Sequence, residues 1–184
     1  VAETLDSAAK KLDNDLAGQP GHHAKLQDAL GRAYDALGLP RKAIPLLEKA
    51  RDYYRAAVGR EHPYTLAAMH ALALSYDHAG RQDEALRMLE ELLMLRRKVS
   101  GPEDPDTLLA MNSLAASCYA AGRLDEALNL QGEVLALRRK VLGPEHPNTL
   151  KAMRQSPSAD GTALVELIKQ ATGVDLTPHL KSEI

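Results

Sequence analysis

A fixed interval of 42 residues governs this chain. Residues 140–150 read KVLGPEHPNTL, residues 98–108 read KVSGPEDPDTL, and residues 56–66 read AAVGREHPYTL. Aligned without gaps, 62–103 and 104–145 are identical at 25 of 42 positions, so the two segments are copies of one unit. A fainter copy, 20–61, keeps the frame: Leu30, Leu72 and Leu114 coincide, as do Gly38, Gly80 and Gly122, and Ala43, Ala85 and Ala127. A fourth copy opens at His146 and dissolves after Arg154. Stacked units of this kind form a quasi-one-dimensional array with an extended concave surface.

Within one copy the pattern reads helix, turn, helix. Leu66, Met69, Leu72, Ala73 and Tyr76 recur at three- and four-residue spacing, which is one face of a helix. Gly80 follows as a left-handed stop. Asp83 and Glu84 favour the positive end of a second helix, whose apolar face is Ala85, Leu86, Leu89, Leu92 and Leu93. Arg96, Arg97 and Lys98 close its last turn, where cations are stabilised, and Gly101 ends it. Two weaker places are expected. Gln27 stands in the Met69 slot of the first copy, so that helix should pack less well. Gln131-Gly132 replaces a Leu-Glu pair in the third copy, so its second helix should be the weakest.

The recurring string invites a catalytic or ligand reading of His62 and His146, but a structural one accounts for it better. Pro63, Pro105 and Pro147 suit the first helical position, where a missing N–H costs nothing. The preceding His62, Asp104 and His146 are then N-caps, and one copy exchanges His for Asp without disturbing its neighbours. His70 and His78 lie eight residues apart on one helix, roughly 12 Å at 1.5 Å per residue, too far to share an ion directly. His22 and His23 are read as solvated, and Cys118 as a small core residue. The Arg-Arg-Lys runs at 96–98 and 138–140 are read as helix ends with a solvated face rather than a phosphate ladder, and Glu103-Asp104-Pro105-Asp106 as a capped turn rather than a calcium loop. No phosphate-binding loop, dinucleotide fingerprint, nucleophile elbow or zinc helix occurs.

Composition narrows the function classes further. The formal charge is -2 and there is no Phe or Trp, so neither nucleic acid nor an anionic membrane is the expected partner. A lone cysteine permits no intrachain disulfide, which fits a reducing, cytoplasmic setting. No apolar run reaches the roughly 20 residues of a membrane span. Val1 begins inside a charged amphipathic stretch with no signal peptide and no initiator Met, so the chain reads as a fragment of a larger protein. No cofactor is expected, and no convergent set of titratable residues supports an enzyme.

The helix pattern resembles the tetratricopeptide repeat, whose signature includes L-G-x-x-Y followed by a small residue. Leu30-Gly31-x-x-Tyr34 and Leu72-Ala73-x-x-Tyr76 fill the first part, Ala43 and Ala85 the second, while Cys118 departs from it with Tyr119 beside it. The 42-residue period and the G-P-E-[HD]-P-x-T-L connector resemble the kinesin-light-chain variant, found also in bacterial signalling proteins. The resemblance covers residues 20–154. It implies an all-α solenoid, a right-handed superhelix of antiparallel helix pairs, acting as a non-catalytic scaffold that holds a peptide or partner domain in its concave groove. The family's groove slots then fall on Lys25, Asp28, Arg32 and Asp35 in the first copy, and on His70, Leu74, Asp77 and His78 in the second. They fall on Asn112, Ala116 and Tyr119 in the third, and on Lys151 and Arg154 in the broken fourth. Only Asn112 keeps the Asn that such repeats often carry at the fifth slot. These positions vary between copies while most core slots do not, as expected where packing leaves a side chain free.

The expected organisation is a half-repeat helix at 1–19, three repeats at 20–61, 62–103 and 104–145, and a broken repeat with a capping helix at 146–184. Leu5, Ala9, Leu12 and Leu16 give the half-repeat its apolar face, and the opening ETLDSAAKKLDNDLAGQP resembles the start of such arrays in bacterial Ser/Thr kinases of the eukaryotic type. Residues 155–161, QSPSADG, break the fourth copy; Leu164, Leu167, Ile168 and Ala171 then line one face of a short helix suited to closing the array, since a terminal repeat otherwise leaves its face bare. A second expectation of a different class is self-association through that broken end, making homo-oligomers.

Overall fold

A computed structural model describes residues 19–150 together with Leu5 and Ser7. Among the described residues six helices pair into three hairpins, and a further helix starts at Pro147. The hairpins are α1 (Pro20–Ala36) with α2 (Pro40–Val58), α3 (Pro63–His78) with α4 (Gln82–Ser100), and α5 (Pro105–Ala120) with α6 (Leu124–Leu142). Each helix packs on the next in sequence. Across repeats α1 also touches α3 and α3 touches α5, whereas the second helices stand farther from one another. An array whose first helices are closer than its second helices curves toward the first helices, so α1, α3 and α5 line the inner face of an α-solenoid.

The same punctuation is cut three times. Within each hairpin the turn closes through a left-handed Gly: Gly38, Gly80 and Gly122 have φ of 71°, 76° and 78°. Around Gly80 the Arg81 N–H donates to the Tyr76 carbonyl at 2.8 Å and the Gly80 N–H to the Asp77 carbonyl at 3.0 Å, a Schellman closure that satisfies two orphan carbonyls. Between repeats the chain leaves the second helix at Gly59, Gly101 or Gly143 and turns into a proline-started helix. Asp104 Oδ1 accepts from the Asp106 and Thr107 N–H groups at 3.0 and 3.1 Å. His62 and His146 accept through Nδ1 from Tyr64 and Asn148, both at 3.2 Å. The connector histidines therefore cap helices, as expected. The threonine two residues beyond the proline adds a tether: Thr65 Oγ1 donates to the Gly59 carbonyl at 2.7 Å and Thr149 Oγ1 to that of Gly143 at 2.9 Å, both side chains being fully buried.

Predicted core positions are core. Leu66, Met69, Leu72, Ala73 and Tyr76 are buried, as are Ala85, Leu86, Leu89, Leu92 and Leu93. Cys118 is buried too, and burial pushes its thiol above the usual range, which suits a packing residue and not a nucleophile. In line with the expected looser packing of the first helix, four residues of α1 are buried, against nine of α3 and eight of α5. Gln27 is buried, and at Gly31 the helices come so close that a Cβ would lie 2.6 Å from Leu47 Cγ. The absent side chain at Gly31 lets α1 seat against α2. α6 runs as an unbroken 19-residue helix through Gln131-Gly132, but only Ala127 and Val134 of it are buried, against six residues of α4.

Candidate functional site

The inner face carries a cleft of about 120 Å³ where three repeats meet, lined by Arg32, Ala67, His70, Leu92, Arg96, Asp106 and Leu109. α1 supplies Arg32, whose Nε donates to Asp28 Oδ2 at 2.9 Å and whose Nη2 donates to the Ala67 carbonyl of α3 at 3.0 Å. α3 supplies His70, whose Nε2 lies 2.9 Å from Ser113 Oγ of α5. α4 supplies Arg96, which pairs with Asp106 on the first turn of α5 at 3.0 Å. Burial first, then the Arg32 and Arg96 charges, lowers the His70 pKa, with Asp106 opposing; the imidazole is held neutral at pH 7. Leu109 is 48% exposed, an apolar side chain in a polar-rimmed cleft. The arrangement offers hydrogen-bond partners, two fixed cations, a carboxylate and an apolar contact. No metal-binding cluster occurs among the described residues.

The sequence-predicted slots divide into three groups. Arg32 and His70 line the cleft, with Asp28 behind Arg32. Asp35 and His78 form a separate cluster, in which the Ser75 hydroxyl donates to Asp35 Oδ1 at 3.0 Å and His78 Nδ1 lies 3.1 Å from the same carboxylate. Lys25, Ala116 and Tyr119 are exposed, and Leu74, Asp77 and Asn112 are half-buried on the same three helices. Lys151 and Arg154 lie outside the described residues. One junction later, the atoms equivalent to the Asp35–Ser75 bond, Asp77 Oδ1 and Ser117 Oγ, are both buried with no partner among the described residues. Buried polar atoms are rarely left so, and a ligand or an ordered water would complete them.

Sequence reasoning missed Ala67, Arg96, Asp106 and Leu109. Ala67 and Leu109 occupy the second groove slot of their helices, so the family pattern could have found them. Arg96 belongs to the run read as a helix end with a solvated face; the helix end holds and Lys98 and Lys140 are exposed, but the solvated reading needs correction at Arg96. The Arg96 side chain is only 11% exposed, Arg97 donates to both Glu133 oxygens at 2.8 Å, and Lys98 pairs with Glu61. Lys140 repeats the Lys98 contact one unit later with Glu103. Arg96, Arg97, Lys98 and Lys140 make ion pairs that link repeats, and Asp106, read as part of a capped turn, is the partner that turns Arg96 into the groove.

Among the described residues, an array of helical hairpins with the first helices on the inner side defines an α-solenoid. Two family models, both described as tetratricopeptide repeat, match residues 22–98 and 107–148, together more than half of the chain, and the chain belongs to the tetratricopeptide-repeat family. Among solved structures, a Podospora anserina chain described as a putative kinesin light chain with nearly identical TPR-like repeats superposes with a TM-score of 0.71 at 27% identity, covering 91% of this chain and 79% of that one. A single-substitution variant of that chain gives 0.70 at 28% identity, covering 90% and 78%. BtubC (BKLC) from P. vanneervenii is similar in fold, with a TM-score of 0.65 at 17% identity over 97% of this chain and 68% of that one. No curated protein matches. No described helix is long and apolar enough to cross a membrane.

Proposed function

We propose that this chain is a non-catalytic interaction scaffold that holds an extended peptide, or an extended segment of a partner domain, along the inner face of α1, α3 and α5. The observation that carries the reading is the cleft at Arg32, His70, Arg96, Asp106 and Leu109, where three repeats contribute to one concave site. Its chemistry suits a strand of peptide. Fixed polar groups pair with backbone or side-chain amides, and Leu109 offers a place for an apolar side chain. The unpartnered Asp77 and Ser117 atoms extend the polar track toward the other end of α3 and α5. Mixed charge in the cleft favours a ligand read by pattern, not by net charge. The likeness of residues 3–20 to the start of kinase-linked arrays supports placing the scaffold in a larger bacterial signalling protein, as its recruiting part.

A photo-crosslinking amino acid at position 109 or 70, in the inner groove, should form adducts with the native partner in cells. The same group at Met94, which is 57% exposed on α4, should not. Adducts from position 94 and none from 70 or 109 would put the binding face elsewhere.

A further inference from the structure

Asp35 of α1 is satisfied by two groups of α3: the Ser75 hydroxyl donates to its Oδ1 at 3.0 Å, and His78 Nδ1 stands 3.1 Å from both carboxylate oxygens. Forty-two residues on, Asp77 of α3 and Ser117 of α5 repeat the first two members, but Ala120 stands in the slot of His78. There the cluster comes apart. Asp77 Oδ1 and Ser117 Oγ are buried and neither has a hydrogen-bond partner among the described residues, although Ser117 is 0% exposed. Ala120 is exposed and apolar, so no group equivalent to the imidazole reaches Asp77 from that slot. A half-buried carboxylate and a buried hydroxyl have then given up water without gaining partners, which folded proteins rarely tolerate. What completes them must donate hydrogen bonds, and a positively charged donor suits the carboxylate best.

We propose that Asp77 and Ser117 form a subsite for a lysine or arginine side chain of the bound peptide, its cation standing beside Asp77 as His78 stands beside Asp35. The inference rests on the groove reading and adds to it the chemistry of one ligand residue. The Asp77 carboxylate repels an anion, and no group of metal-binding side chains surrounds the pair among the described residues. An ammonium or guanidinium carries several N–H donors, enough for Asp77 Oδ1 and Ser117 Oγ together. Its place in the peptide follows from the helix. Asp77 lies seven residues beyond His70 on α3, about 10 Å at 1.5 Å per residue. An extended peptide in the furrow between α3 and α5 rises about 3.3 Å per residue, so the basic residue comes about three residues from the part that meets His70. The Arg32 and Arg96 charges at the cleft end disfavour a second cation there, which holds the basic residue to the Asp77 end and fixes the direction of the chain.

The test selects a displayed library of short random peptides on the full chain and reads the selected peptides by fluorescence anisotropy. They should share a Lys or Arg at one register position and bind Asp77→Asn roughly tenfold more weakly than the wild type. Ala120→His, which gives Asp77 the internal partner that Asp35 has, should weaken the same peptides by a similar factor without loss of thermal stability. Asp77→Lys, used as the bait in a second selection, should enrich Asp or Glu at that register position instead. Asp83→Asn, an exposed acid on α4, should change nothing. A selection without a shared basic position, one that yields no binders included, would overturn the subsite. So would peptides that bind Asp77→Asn as tightly as the wild type, because an ordered water would then be what completes the pair. If such peptides still lost affinity for Leu109→Asp, the groove reading would stand without the subsite; if they bound Leu109→Asp normally, both would fall.

Discussion

Arg96 Nη1 stands 3.0 Å from Asp106 Oδ2, across the turn that joins one repeat to the next. The equivalent pair one junction earlier is Tyr54 and Tyr64, with ring centroids 5.7 Å apart. One junction later it is Arg138, donating to the Asn148 carbonyl at 3.3 Å. The same two slots on the inner face are thus filled by packed aromatics, an ion pair and an arginine–backbone bond. Each choice is complementary within its junction, so the slots are coupled pairs whose chemistry can change together without altering the fold.

That coupling predicts the outcome of exchanging one junction for another. Arg96→Tyr alone should strand Asp106, and Asp106→Tyr alone should strand a nearly buried guanidinium, the costlier of the two. The double variant should recover stability to within about 1 kcal/mol of the wild type, a coupling that a double-mutant cycle by denaturant unfolding measures directly. Simple additivity of the two single changes would show that the pair does not act as a unit.

Tyr76 gives a pH prediction. Its hydroxyl donates to Glu48 Oε1 at 2.6 Å beneath the Arg81 guanidinium, which sits 4.4 Å from the ring centroid. Burial, then the Glu48 hydrogen bond and charge, pushes its pKa up to about 12 from an ordinary 10.0. The folded state holds the proton more tightly than the unfolded chain, so this stabilisation is complete below pH 10 and is lost as pH rises through about 12. Tyr76→Phe should cost about 1–2 kcal/mol at neutral pH and should flatten the loss of stability in that alkaline window. Urea midpoints for both proteins on either side of pH 10 decide it. The third repeat has no such group: Cys118 replaces the tyrosine, and Arg123 reaches Glu90 directly at 3.1 Å.

Two glycine-to-alanine changes should have opposite signs. At Gly31 the new Cβ would meet Leu47 Cγ at 2.6 Å and the Ala43 carbonyl at 3.3 Å, so Gly31→Ala should destabilise by about 1–3 kcal/mol despite alanine's better helix propensity. At Gly132 nothing lies within 4 Å of the built Cβ, and Gly132→Ala should stabilise α6 by about 0.5–1 kcal/mol. Thermal unfolding of the two variants is sufficient. The first result would be specific to its repeat, because the second repeat carries Ala73 in the Gly31 slot.

The caps predict a ranking. Asp104 accepts two N–H groups where His62 accepts one. His62→Asp should therefore raise stability by about 0.5 kcal/mol, and Asp104→Ala should lower it by about 1 kcal/mol. Catalytic or metal-binding histidines would instead leave stability unmoved and carry a measurable activity; equal melting temperatures for His62→Asp and the wild type would count against the capping account.

Much of this was legible in the sequence because packing enforces the period. Leu66, Leu72, Ala85 and their counterparts must meet similar neighbours in successive units, so their spacing discloses the helix, the hairpin and the stack. Arg32 and His70 were legible as groove residues because they break that pattern on the opposite face. Arg96 and Asp106 were not, since a cation at a helix end and an acid at a helix start each have a sufficient local explanation. Their common destination arises only when two repeats stack. The signal existed in the coupled change of 54 with 64, 96 with 106 and 138 with 148, which a slot-by-slot comparison of copies displays.

The central claim is that the inner face of the first helices binds an extended peptide. Its most direct test is a randomised peptide library selected on the full chain, followed by fluorescence anisotropy of the selected peptides against four variants. His70→Asp and Leu109→Asp alter the groove, and Arg87→Glu and Met94→Asp alter the exposed side of α4. The account predicts at least a roughly tenfold rise in Kd, about 1.4 kcal/mol, for each groove variant and no change for the α4 variants. Peptides that bind the groove variants normally, and lose affinity for Arg87→Glu or Met94→Asp, would contradict it.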